Sequence, residues 1–307
     1  MNLIGKKVVV TGGAGFIGSH LVDALVGNGA KVVIIDDLSA SSMDNVNKDA
    51  VFYKMNIMDD SIEGIFREES PEIVFHLASN TNVPRSIENP LREHSSLFGA
   101  LRVIDTCRRI AVSRFIFTSS GFVYGNARAR PIAESEPFKP ISPYAISKNS
   151  VENYLKFYKN VYGLSYVVLR FATVYGPRQV KGAMADYIKQ LHAGSQAEFY
   201  GDGSKTRDYV YIDDIVAVLL KSLDIEKSYD DAVFNIGSGV ETSLKELYCM
   251  IAELLGREPK PIIMPDRLGE LNGYSLDSNK AKKVLNWEPA FSLSQGLLNI
   301  MKYRRLI

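Results

Sequence analysis

A tyrosine and a lysine stand one helical turn apart in the segment SPYAISK, residues 142–148. Tyr144 is the only one of sixteen tyrosines with a lysine four residues later. Pro143 suits the first turn of a helix, and residues i and i+4 share a helix face, so Lys148 is expected to reach toward the phenol. A free phenol is a poor base at neutral pH, but a neighbouring ammonium favours the phenolate. The pair predicts a proton acceptor; a packed tyrosine beside a solvated lysine is the structural alternative.

Three glycines spaced three apart follow the first strand pattern. They are Gly12, Gly15 and Gly18 in VVVTGGAGFIGSHL, which also opens the first helix pattern. Such a turn lets backbone N–H groups approach a pyrophosphate, and the helix N-terminus adds a partial positive charge. The spacing differs from the common G-x-G-x-x-G, so it counts only together with its position between strand and helix. It predicts dinucleotide binding rather than an ordinary glycine-rich turn.

An acidic residue ends the next strand pattern, KVVIIDD. The Asp36 carboxylate can accept hydrogen bonds from ribose hydroxyls and would repel a 2′-phosphate. The residues that follow, 37–40, include no arginine or lysine to bind that phosphate. The sequence therefore favours NAD over NADP, and Asp37 is interpreted as a solvated turn residue.

Hydroxyl side chains end a later strand pattern. The run RFIF is followed by TSSGFVYG, so Ser119 and Ser120 stand at the end of a strand. Doubly wound folds bind ligands at this edge of the sheet, where either hydroxyl can hydrogen-bond a substrate oxygen. A hydroxyl, a phenol, an ammonium and NAD together predict a site that oxidises an alcohol.

Short apolar, β-branched runs alternate with helix-length segments. The runs are KKVVV, KVVIID, VFYKM, EIVFHLA, RFIFTSS, LSYVVLRF and AVFNIG. Continuous apolar runs are typical of parallel strands buried on both faces. The predicted fold class is α/β, a doubly wound parallel sheet (Rossmann). We expect an NAD-binding domain at 1–175 plus about 212–236, and a smaller, discontinuous C-terminal substrate domain at 176–211 plus 237–307.

Composition excludes several classes of partner. Net charge is +1, which gives no indication of nucleic acid or an anionic membrane surface. Cys107 and Cys249 are too few for a disulfide framework, and the N-terminus lacks a signal-peptide pattern. We expect a soluble cytoplasmic protein without a membrane span. No metal site is predicted, because the histidines are scattered: His20, His76, His94 and His192.

Seven motifs together resemble one family. TGGAGFIG, HLAS, SSGFVYG, SPYAISK, RFATVYGPR, GDGSKTRDYVYIDDI and LNWEP are similar to those of extended short-chain dehydrogenase/reductases. Among these, the chain most resembles the UDP-glucose 4-epimerases and their sugar-nucleotide relatives. The resemblance covers nearly the whole chain, and it is more specific for the superfamily than for the substrate.

The resemblance assigns catalytic and cofactor residues. It implies that Ser120 is the catalytic serine, Tyr144 the base, and Lys148 a partner that also contacts the nicotinamide ribose. Phe16 and Ile17 would touch the pyrophosphate. The full set implied for NAD is Gly12, Gly15, Phe16, Ile17, Gly18, Asp36, Asn56 and Ile57 (beside adenine), Leu77, Ala78 and Ser79 (beside His76), Tyr144 and Lys148.

It also assigns residues to a nucleotide-sugar substrate. Arg207, in TRDYVY, would hold the diphosphate, since a guanidinium suits bidentate contacts. Arg267 and Glu270, in RLGE, would bind the second phosphate region and the ribose, and Phe199 would stack on the base. A bulky side chain at Tyr274 implies restriction of N-acetylated sugars. For each, a surface charge or a core aromatic is the alternative.

The implied reaction is epimerisation at carbon 4 of the sugar. Tyr144 would take the proton of the 4-hydroxyl while hydride passes from carbon 4 to NAD. The resulting 4-keto sugar would rotate about the diphosphate link and receive the hydride on its other face, so NAD should stay bound.

Relatives also pair two helices across a two-fold axis into a four-helix bundle. Here the helices around 92–109 and 147–160 would do so, and a homodimer is therefore expected. The apolar positions that would permit it are Leu97, Leu101, Ile104, Val151 and Leu155, although the same stripes could also serve the core of a monomer.

Two departures from the family pattern affect substrate geometry. Thr173 stands where the family's RFxN motif carries asparagine, which alters a substrate contact. The segment HSSLFGALRV lacks the usual asparagine before its glycine and is one residue short, so Ser96 is taken as the equivalent.

Other activities stay open to different degrees. A dehydratase needs an Asp-Glu pair where this chain has Gly121 and Phe122, so dehydration is disfavoured. Arg85 could serve a sugar carboxylate, which keeps a UDP-glucuronate epimerase or decarboxylase as the alternative, along with a UDP-N-acetylhexosamine 4-epimerase. The non-enzymatic alternative is an NAD-sensing regulatory protein. The sequence leaves the hexose and the base undetermined.

Overall fold

The computed structural model describes residues 2–226, 229, 232–267 and 269–307. The strands are β1 (Lys7–Thr11), β2 (Lys31–Asp36), β3 (Val51–Lys54), β4 (Ile73–His76), β5 (Arg114–Ser120), β6 (Tyr166–Phe171), β7 (Thr173–Tyr175), β8 (Glu198–Tyr200), β9 (Thr206–Arg207), β10 (Tyr209–Tyr211), β11 (Val233–Ile236), β12 (Thr242–Ser243) and β13 (Ile262–Met264). Seven of them form one parallel sheet in the order β11-β6-β5-β4-β1-β2-β3. Each of the seven runs predicted as a strand contributes one strand to this sheet, which confirms the doubly wound α/β fold.

Burial on both faces explains the continuous apolar runs. Val8 and Val10 lie in one apolar cluster, whereas Val9 lies in another, because successive side chains of a strand point to opposite faces. Ile34 and Ile35 on β2 divide in the same way. A core on each side of the sheet therefore explains why apolar residues follow one another in these strands instead of alternating with polar ones.

Helices cover both faces. They are α1 (Phe16–Gly27), α2 (Ile62–Glu69), α3 (Val83–Glu88), α4 (His94–Arg109), α5 (Pro143–Tyr162), α6 (Ala183–His192), α7 (Ile212–Lys221), α8 (Leu244–Leu254), α9 (Asn279–Leu285) and α10 (Leu293–Tyr303). Short 3-10 helices span Met43–Asn45, Pro90–Glu93, Gly121–Tyr124 and Ser222–Asp224. Within the described residues, no helix has both the length and the apolar composition that a bilayer crossing requires.

Helix α5 has clear signals at both ends. The Ser142 side chain accepts a hydrogen bond from Ala145 N, and Pro143 occupies the first turn. The helix ends at Gly163, whose φ of +73° favours glycine. These signals fix where the helix starts and therefore the direction in which Tyr144 and Lys148 point.

The chain after Gly176 contributes to small sheets and forms short helices. The pairs β8–β13 and β9–β12 each form a two-stranded sheet, and β10 pairs with β7, which precedes Gly176. Residues 233–236 return to the main sheet as β11, beside β6. The assignment of the remaining segments to a separate substrate domain stays a prediction.

The apolar positions that the sequence suggested for a dimer face the core of the chain and not its surface. Ile104, Val151 and Leu155 are buried against the sheet, and Leu97 and Leu101 pack on the same cluster. This inner stripe covers the core of a single chain. The outward apolar side chains of α4 and α5 are Phe98, Ile146, Tyr154, Phe157 and Val161, all exposed.

Candidate active site

The glycine turn joins β1 to α1 with very little space around it. A Cβ added at Gly12, where φ is +72°, would lie 2.7 Å from the Ala78 backbone nitrogen. A Cβ at Gly18 would lie 2.1 Å from the Gly12 carbonyl oxygen. Glycine is therefore required both for the turn and for the close packing of helix against strand.

The N-terminus of α1 carries no side-chain cap. Gly15 is the capping residue, and no side chain accepts a hydrogen bond from the first turn, which begins with Phe16 and Ile17. Uncapped N–H groups at a helix N-terminus attract an anion. The absence of Cβ atoms and the free helix end both fit the pyrophosphate of a dinucleotide such as NAD.

Asp36 lies beside this turn and is held in place by three donors. Its Oδ2 accepts a hydrogen bond from Ala14 N at 3.0 Å. Its Oδ1 accepts from Leu38 N at 2.9 Å and from Ser41 Oγ at 2.8 Å. The carboxylate is fixed at the end of β2, the position expected for a group that accepts from ribose hydroxyls.

Asn56 and Ile57, the pair predicted to lie beside adenine, are positioned by different neighbours. Asn56 Nδ2 donates to Asp37 Oδ2 at 2.7 Å, so Asp37 positions Asn56 rather than being only a solvated turn residue. The Ile57 side chain faces α4, where a Cβ at Gly99 would lie 2.5 Å from Ile57 Cδ1.

The end of β4 lies against the glycine turn. Leu77 N donates to Thr11 O at 3.0 Å, and Ala78 N lies 3.5 Å from Thr11 Oγ1. Ser79 follows and donates to Asn80 O at 3.2 Å. The segment Leu77–Ser79 is therefore next to Gly12, as a cofactor-lining role requires.

His76 is packed rather than exposed. Its Nδ1 shares a hydrogen bond with Thr11 Oγ1 at 2.8 Å, and its ring stacks near Phe117. Burial, with a smaller effect from the charge of Lys148, lowers the pKa of His76 to about 3. Over the described residues, no group of three or more His, Cys, Asp or Glu side chains is placed to hold a metal.

Ser120, Tyr144 and Lys148 come together above the ends of β4 and β5. Ser120 ends β5, and its hydroxyl lies beside the Tyr144 phenol. Burial raises the pKa of Tyr144 to about 12, while the neighbouring Ser120 hydroxyl acts in the opposite direction. The base is thus protonated in the free chain and needs additional positive charge to ionise near neutral pH.

Lys148 is buried below Tyr144. Its Nζ donates to Thr118 O at 2.8 Å and lies 5.8 Å from the centre of the Tyr144 ring. Burial lowers the pKa of Lys148 to about 8, and the charges of Glu93 and Glu152 oppose that shift. The lysine is therefore charged at neutral pH but close to its titration.

The sequence analysis missed both of these carboxylates. Glu152 follows Lys148 by four residues on α5 and forms a buried ion pair with Arg170, at 2.7 Å between Nη2 and Oε2. Ser119 Oγ donates to the same carboxylate at 2.5 Å. Helical spacing could have identified Glu152, since Tyr144, Lys148 and Glu152 share one face. Glu93 comes from another element, and no local pattern reveals it.

Aromatic side chains form one wall of the site. The Phe122 ring contacts Tyr144 edge-on, with ring centres 6.3 Å apart, and Tyr274, with ring centres 5.5 Å apart. Tyr274 Oη lies 3.0 Å from Thr173 Oγ1. The threonine that replaces the family asparagine therefore holds the tyrosine predicted to restrict the sugar.

The residues predicted to bind the nucleotide lie in the segment after Gly176. Arg207 Nη1 donates to the carbonyl oxygens of Thr206 and Leu271, at 2.7 and 3.0 Å. Glu270 pairs with Lys205 at 2.9 Å.

Two further members of this set differ sharply in exposure. The Arg267 guanidinium is exposed and stacks over Tyr200, 3.2 Å from the ring centre. Phe199 is only 1% exposed among Tyr187 and Tyr248, so its ring presents no face to a base in this conformation.

Ser96 links two parts of the site. Its Oγ accepts a hydrogen bond from Asn80 N at 3.1 Å, just after the Leu77–Ser79 segment. Its hydroxyl also hydrogen-bonds Glu93. The residue taken as the equivalent of the family asparagine therefore connects the loop after β4 to the start of α4.

Comparison with known proteins gives matches along almost the whole chain. The UDP-glucose 4-epimerase of Mycolicibacterium smegmatis is 39% identical, over 97% of this chain and 98% of that protein. The crystal structure of the Thermotoga maritima UDP-glucose 4-epimerase with UDP-glucose is 40% identical, with a TM-score of 0.94 and coverage of 97% and 98%. The Thermus thermophilus UDP-glucose 4-epimerase in complex with NAD is 32% identical, with a TM-score of 0.93 and coverage of 97% and 99%.

The shared fold does not separate substrates. The UDP-glucuronic acid 4-epimerase of Bacillus cereus also matches, at 29% identity and a TM-score of 0.91, over 98% of this chain and 100% of that one. The family described as NAD dependent epimerase/dehydratase matches residues 8–237. With that match and relatives of this identity, the chain belongs to the NAD-dependent epimerase/dehydratase family, an enzyme family whose cofactor is NAD.

Proposed function

We propose that this chain epimerises carbon 4 of a nucleotide sugar, interconverting UDP-glucose and UDP-galactose through a transient 4-keto sugar. The observation that carries the proposal is the position of the Ser120 hydroxyl beside the Tyr144 phenol and the buried Lys148, at the sheet edge that also holds the glycine turn. The substrate named for relatives that are 39% and 40% identical supports the choice of sugar.

Each catalytic side chain has a distinct task. Tyr144 accepts the proton of the sugar 4-hydroxyl and returns it at the end of the cycle. Ser120 donates a hydrogen bond to the same oxygen, and Lys148 stabilises the phenolate with its charge. NAD, when bound through the glycine turn and Asp36, supplies the hydride acceptor and the positive ring charge that further favours the phenolate.

The substrate is assigned to the segments 176–211 and 237–307, with the NAD-binding part at 1–175 plus about 212–236. Arg207 holds the diphosphate, and Arg267 with Glu270 holds the second phosphate region and the ribose. Arg207 is already oriented by two carbonyl oxygens, which supports its place as a fixed anchor. The assignment of Phe199 to base stacking requires the ring to leave its buried position.

The aromatic wall favours a neutral hexose. Phe122 lies against both Tyr144 and Tyr274, and these aromatic side chains offer no cation to a sugar carboxylate. The bulk of Tyr274 disfavours an N-acetyl group. Arg85 is the observation that keeps UDP-glucuronate as the second candidate: it is exposed and adjacent to Ser86, whose Oγ lies 3.4 Å from Tyr144 N.

A direct conversion assay tests the proposal. Purified protein is incubated with UDP-galactose without added NAD, and the products are resolved by NMR. Appearance of UDP-glucose is expected, since the cofactor is regenerated and retained. No conversion, repeated with NAD added, would contradict this substrate. Parallel incubations with UDP-glucuronate and UDP-N-acetylglucosamine then identify which alternative sugar is used.

Helices α4 and α5 pack against each other, and a homodimer is proposed through the outward faces of the two helices. Phe98 on α4 and Ile146, Tyr154, Phe157 and Val161 on α5 give these faces an exposed apolar surface that a second copy would cover. Sedimentation equilibrium should give twice the chain mass, and Phe157→Glu should return a monomer. A monomeric mass for the unchanged protein would contradict the proposal.

A cytoplasmic location stays a prediction from the cysteine content.

A further inference from the structure

The two serines at the end of β5 have different partners. From the sequence, either Ser119 or Ser120 could act on a substrate oxygen. In the structure Ser119 is 3% exposed, and its hydroxyl donates to the Glu152 carboxylate at 2.5 Å. A serine hydroxyl has one hydrogen to donate, and Glu152 receives it, so Ser119 has none for a sugar oxygen. The role of Ser119 must therefore lie in its contact with Glu152.

The Glu152 carboxylate joins two neighbouring strands. Ser119 on β5 and Arg170 on β6 are register partners, so their side chains lie on the same face of the sheet. Glu152 is 1% exposed, and besides accepting from Ser119 it pairs with Arg170 through three contacts of 2.7 to 3.2 Å. Arg170 Nη1 also donates to Tyr124 Oη at 2.5 Å, which holds the guanidinium at a second point. The carboxylate thus has a fixed position against β5 and β6.

Three consecutive residues of β5 contact one face of α5. The contacts are Lys148 Nζ to Thr118 O at 2.8 Å, Ser119 Oγ to Glu152 Oε1 at 2.5 Å, and the Ser120 hydroxyl beside the Tyr144 phenol. The three residues of α5 are spaced by four positions each, so they lie along one helix face. The contact between Ser119 and Glu152 therefore belongs to the same row as the two contacts that involve the proposed base and its partner.

Apolar packing alone does not fix how a helix lies along a strand. Helix α5 packs on the sheet through Val151 and Leu155, and contacts of this kind are non-directional. A hydrogen bond from a hydroxyl to a carboxylate is directional, and in a buried site its loss is costly. The contact between Ser119 and Glu152 is therefore suited to set the position of α5 along β5.

We propose that Ser119 and Glu152 are positioning residues, which fix α5 against the end of β5 and so hold Tyr144 beside Ser120. Neither side chain touches the substrate, and both act through the contact between Ser120 and Tyr144. The effect on turnover rests on the proposed function, in which Ser120 and Tyr144 act on the same oxygen of the sugar.

Ser119→Ala tests the proposal directly, because it removes the hydroxyl and leaves the ion pair between Glu152 and Arg170 in place. A misplacement of about 1 Å can cost about 10²-fold in rate, so kcat should fall roughly 10- to 100-fold. KM for the nucleotide sugar and the NAD content should not change, since neither binding site is altered. A lower free energy of unfolding with an unchanged kcat would show a structural role only and would overturn the proposal.

Three further variants assign the effect to the hydroxyl and to Ser120. Ser119→Thr keeps the hydroxyl and should recover most of kcat, whereas equal losses in the threonine and alanine variants would overturn the proposal. Ser150→Ala removes a partly exposed hydroxyl on the same helix, whose partner is Ile146 O, and should leave kcat unchanged. Ser119→Ala added to Ser120→Ala should lower kcat no further, because Ser119 acts through Ser120. An additional tenfold loss in the double variant would contradict that route.

A titration that needs no turnover separates this proposal from the proposed function. In the protein with NAD bound, the Tyr144 phenolate is followed by its ultraviolet absorbance, as the change that Tyr144→Phe abolishes. The Ser120 hydroxyl lowers the pKa of Tyr144, so a looser contact in Ser119→Ala should shift this titration to higher pH. The charged groups near the phenol, Lys148 and Glu93, are the same in both proteins. An unshifted titration would overturn the proposal, whereas a shifted titration in a protein that converts no sugar would count against the proposed function alone.

Discussion

The glycine turn and the surroundings of Arg207 are held in place by different kinds of contact. Around the turn, backbone meets backbone: Gly12 lies against Ala78, and Gly18 against the Gly12 carbonyl, with no room for one more carbon atom. The seven-stranded sheet fixes both sides of this contact. The geometry is therefore determined by the main chain.

Around Arg207, side chains from separate segments meet one another. Lys205 bridges Asp266 and Glu270 at 2.6 and 2.9 Å, and Arg267 is exposed over Tyr200. The strands there have two or three residues each. Single side chains can be exchanged here without moving the sheet.

We expect the two regions to have different functions: the glycine turn and the sheet edge serve the reaction and NAD binding, and the surroundings of Arg207 determine which substrate binds. The edge of the sheet carries the residues proposed to bind the cofactor and the proposed catalytic group Ser120–Tyr144–Lys148, so changes there should affect turnover or NAD retention. Changes around Arg207, Thr173 and Tyr274 should affect the substrate while NAD stays bound. Four substitutions test that division.

Tyr144→Phe should have the largest effect on turnover. It removes the proton acceptor without touching the glycine turn, so kcat should fall roughly 10²–10⁴-fold while the NAD content is unchanged. The NAD content is measured from the absorbance of cofactor released on denaturation. Unchanged turnover in Tyr144→Phe would show that Tyr144 is not part of the mechanism. If the protein without any substitution binds NAD but converts no nucleotide sugar, an NAD-sensing role would be favoured instead.

Gly18→Ala should weaken NAD binding at the glycine turn. The new Cβ would lie 2.1 Å from the Gly12 carbonyl oxygen, and overpacking of this kind costs about 1–3 kcal/mol. Urea unfolding should show that loss, and less NAD should copurify.

Gly27→Ala is the matched control on the same helix, since a Cβ there meets nothing within 4 Å. It should retain NAD fully. Equal NAD content in both variants would contradict the tight packing at Gly18.

Arg207→Lys should weaken binding of the nucleotide sugar without affecting NAD. Lysine keeps the charge but loses the planar fork, so KM for the nucleotide sugar should rise about tenfold, equivalent to about 1.4 kcal/mol. NAD content should not change. Arg257→Lys, at an exposed arginine after α8, is the control and should leave KM as it is. A loss of NAD in Arg207→Lys would show that the two sides are not separable.

Thr173→Val should have the smallest effect on turnover. It removes the partner of the buried Tyr274 hydroxyl, 3.0 Å away, and an unsatisfied buried hydroxyl costs about 1–3 kcal/mol of unfolding free energy. Thr173→Ser keeps the hydroxyl and should retain stability. We expect discrimination between UDP-galactose and UDP-N-acetylgalactosamine to weaken in Thr173→Val alone; unaltered discrimination would dissociate Tyr274 from sugar choice.

For the proposed dimer surface, the sequence identified an apolar stripe on α4 and α5 correctly, but that stripe covers the core of the chain instead of facing a second copy. The apolar stripe with Ile104, Val151 and Leu155 was evident in the sequence, but an amphipathic helix uses its most apolar stripe to cover the core. The surface left for another chain is the second stripe, with Phe98 and Phe157. Periodicity identifies the apolar faces of a helix, and only packing shows which one the sheet covers.

The sequence by itself determined the seven strands, the glycine turn and the Tyr144–Lys148 spacing. Each depends on neighbours within a few residues: period, turn conformation, or one helical turn. Only the tertiary structure paired Glu152 with Arg170 and placed Thr173 beside Tyr274, the latter pair 101 residues apart in the chain. Contacts of that kind depend on how separate elements pack, and no local spacing encodes them.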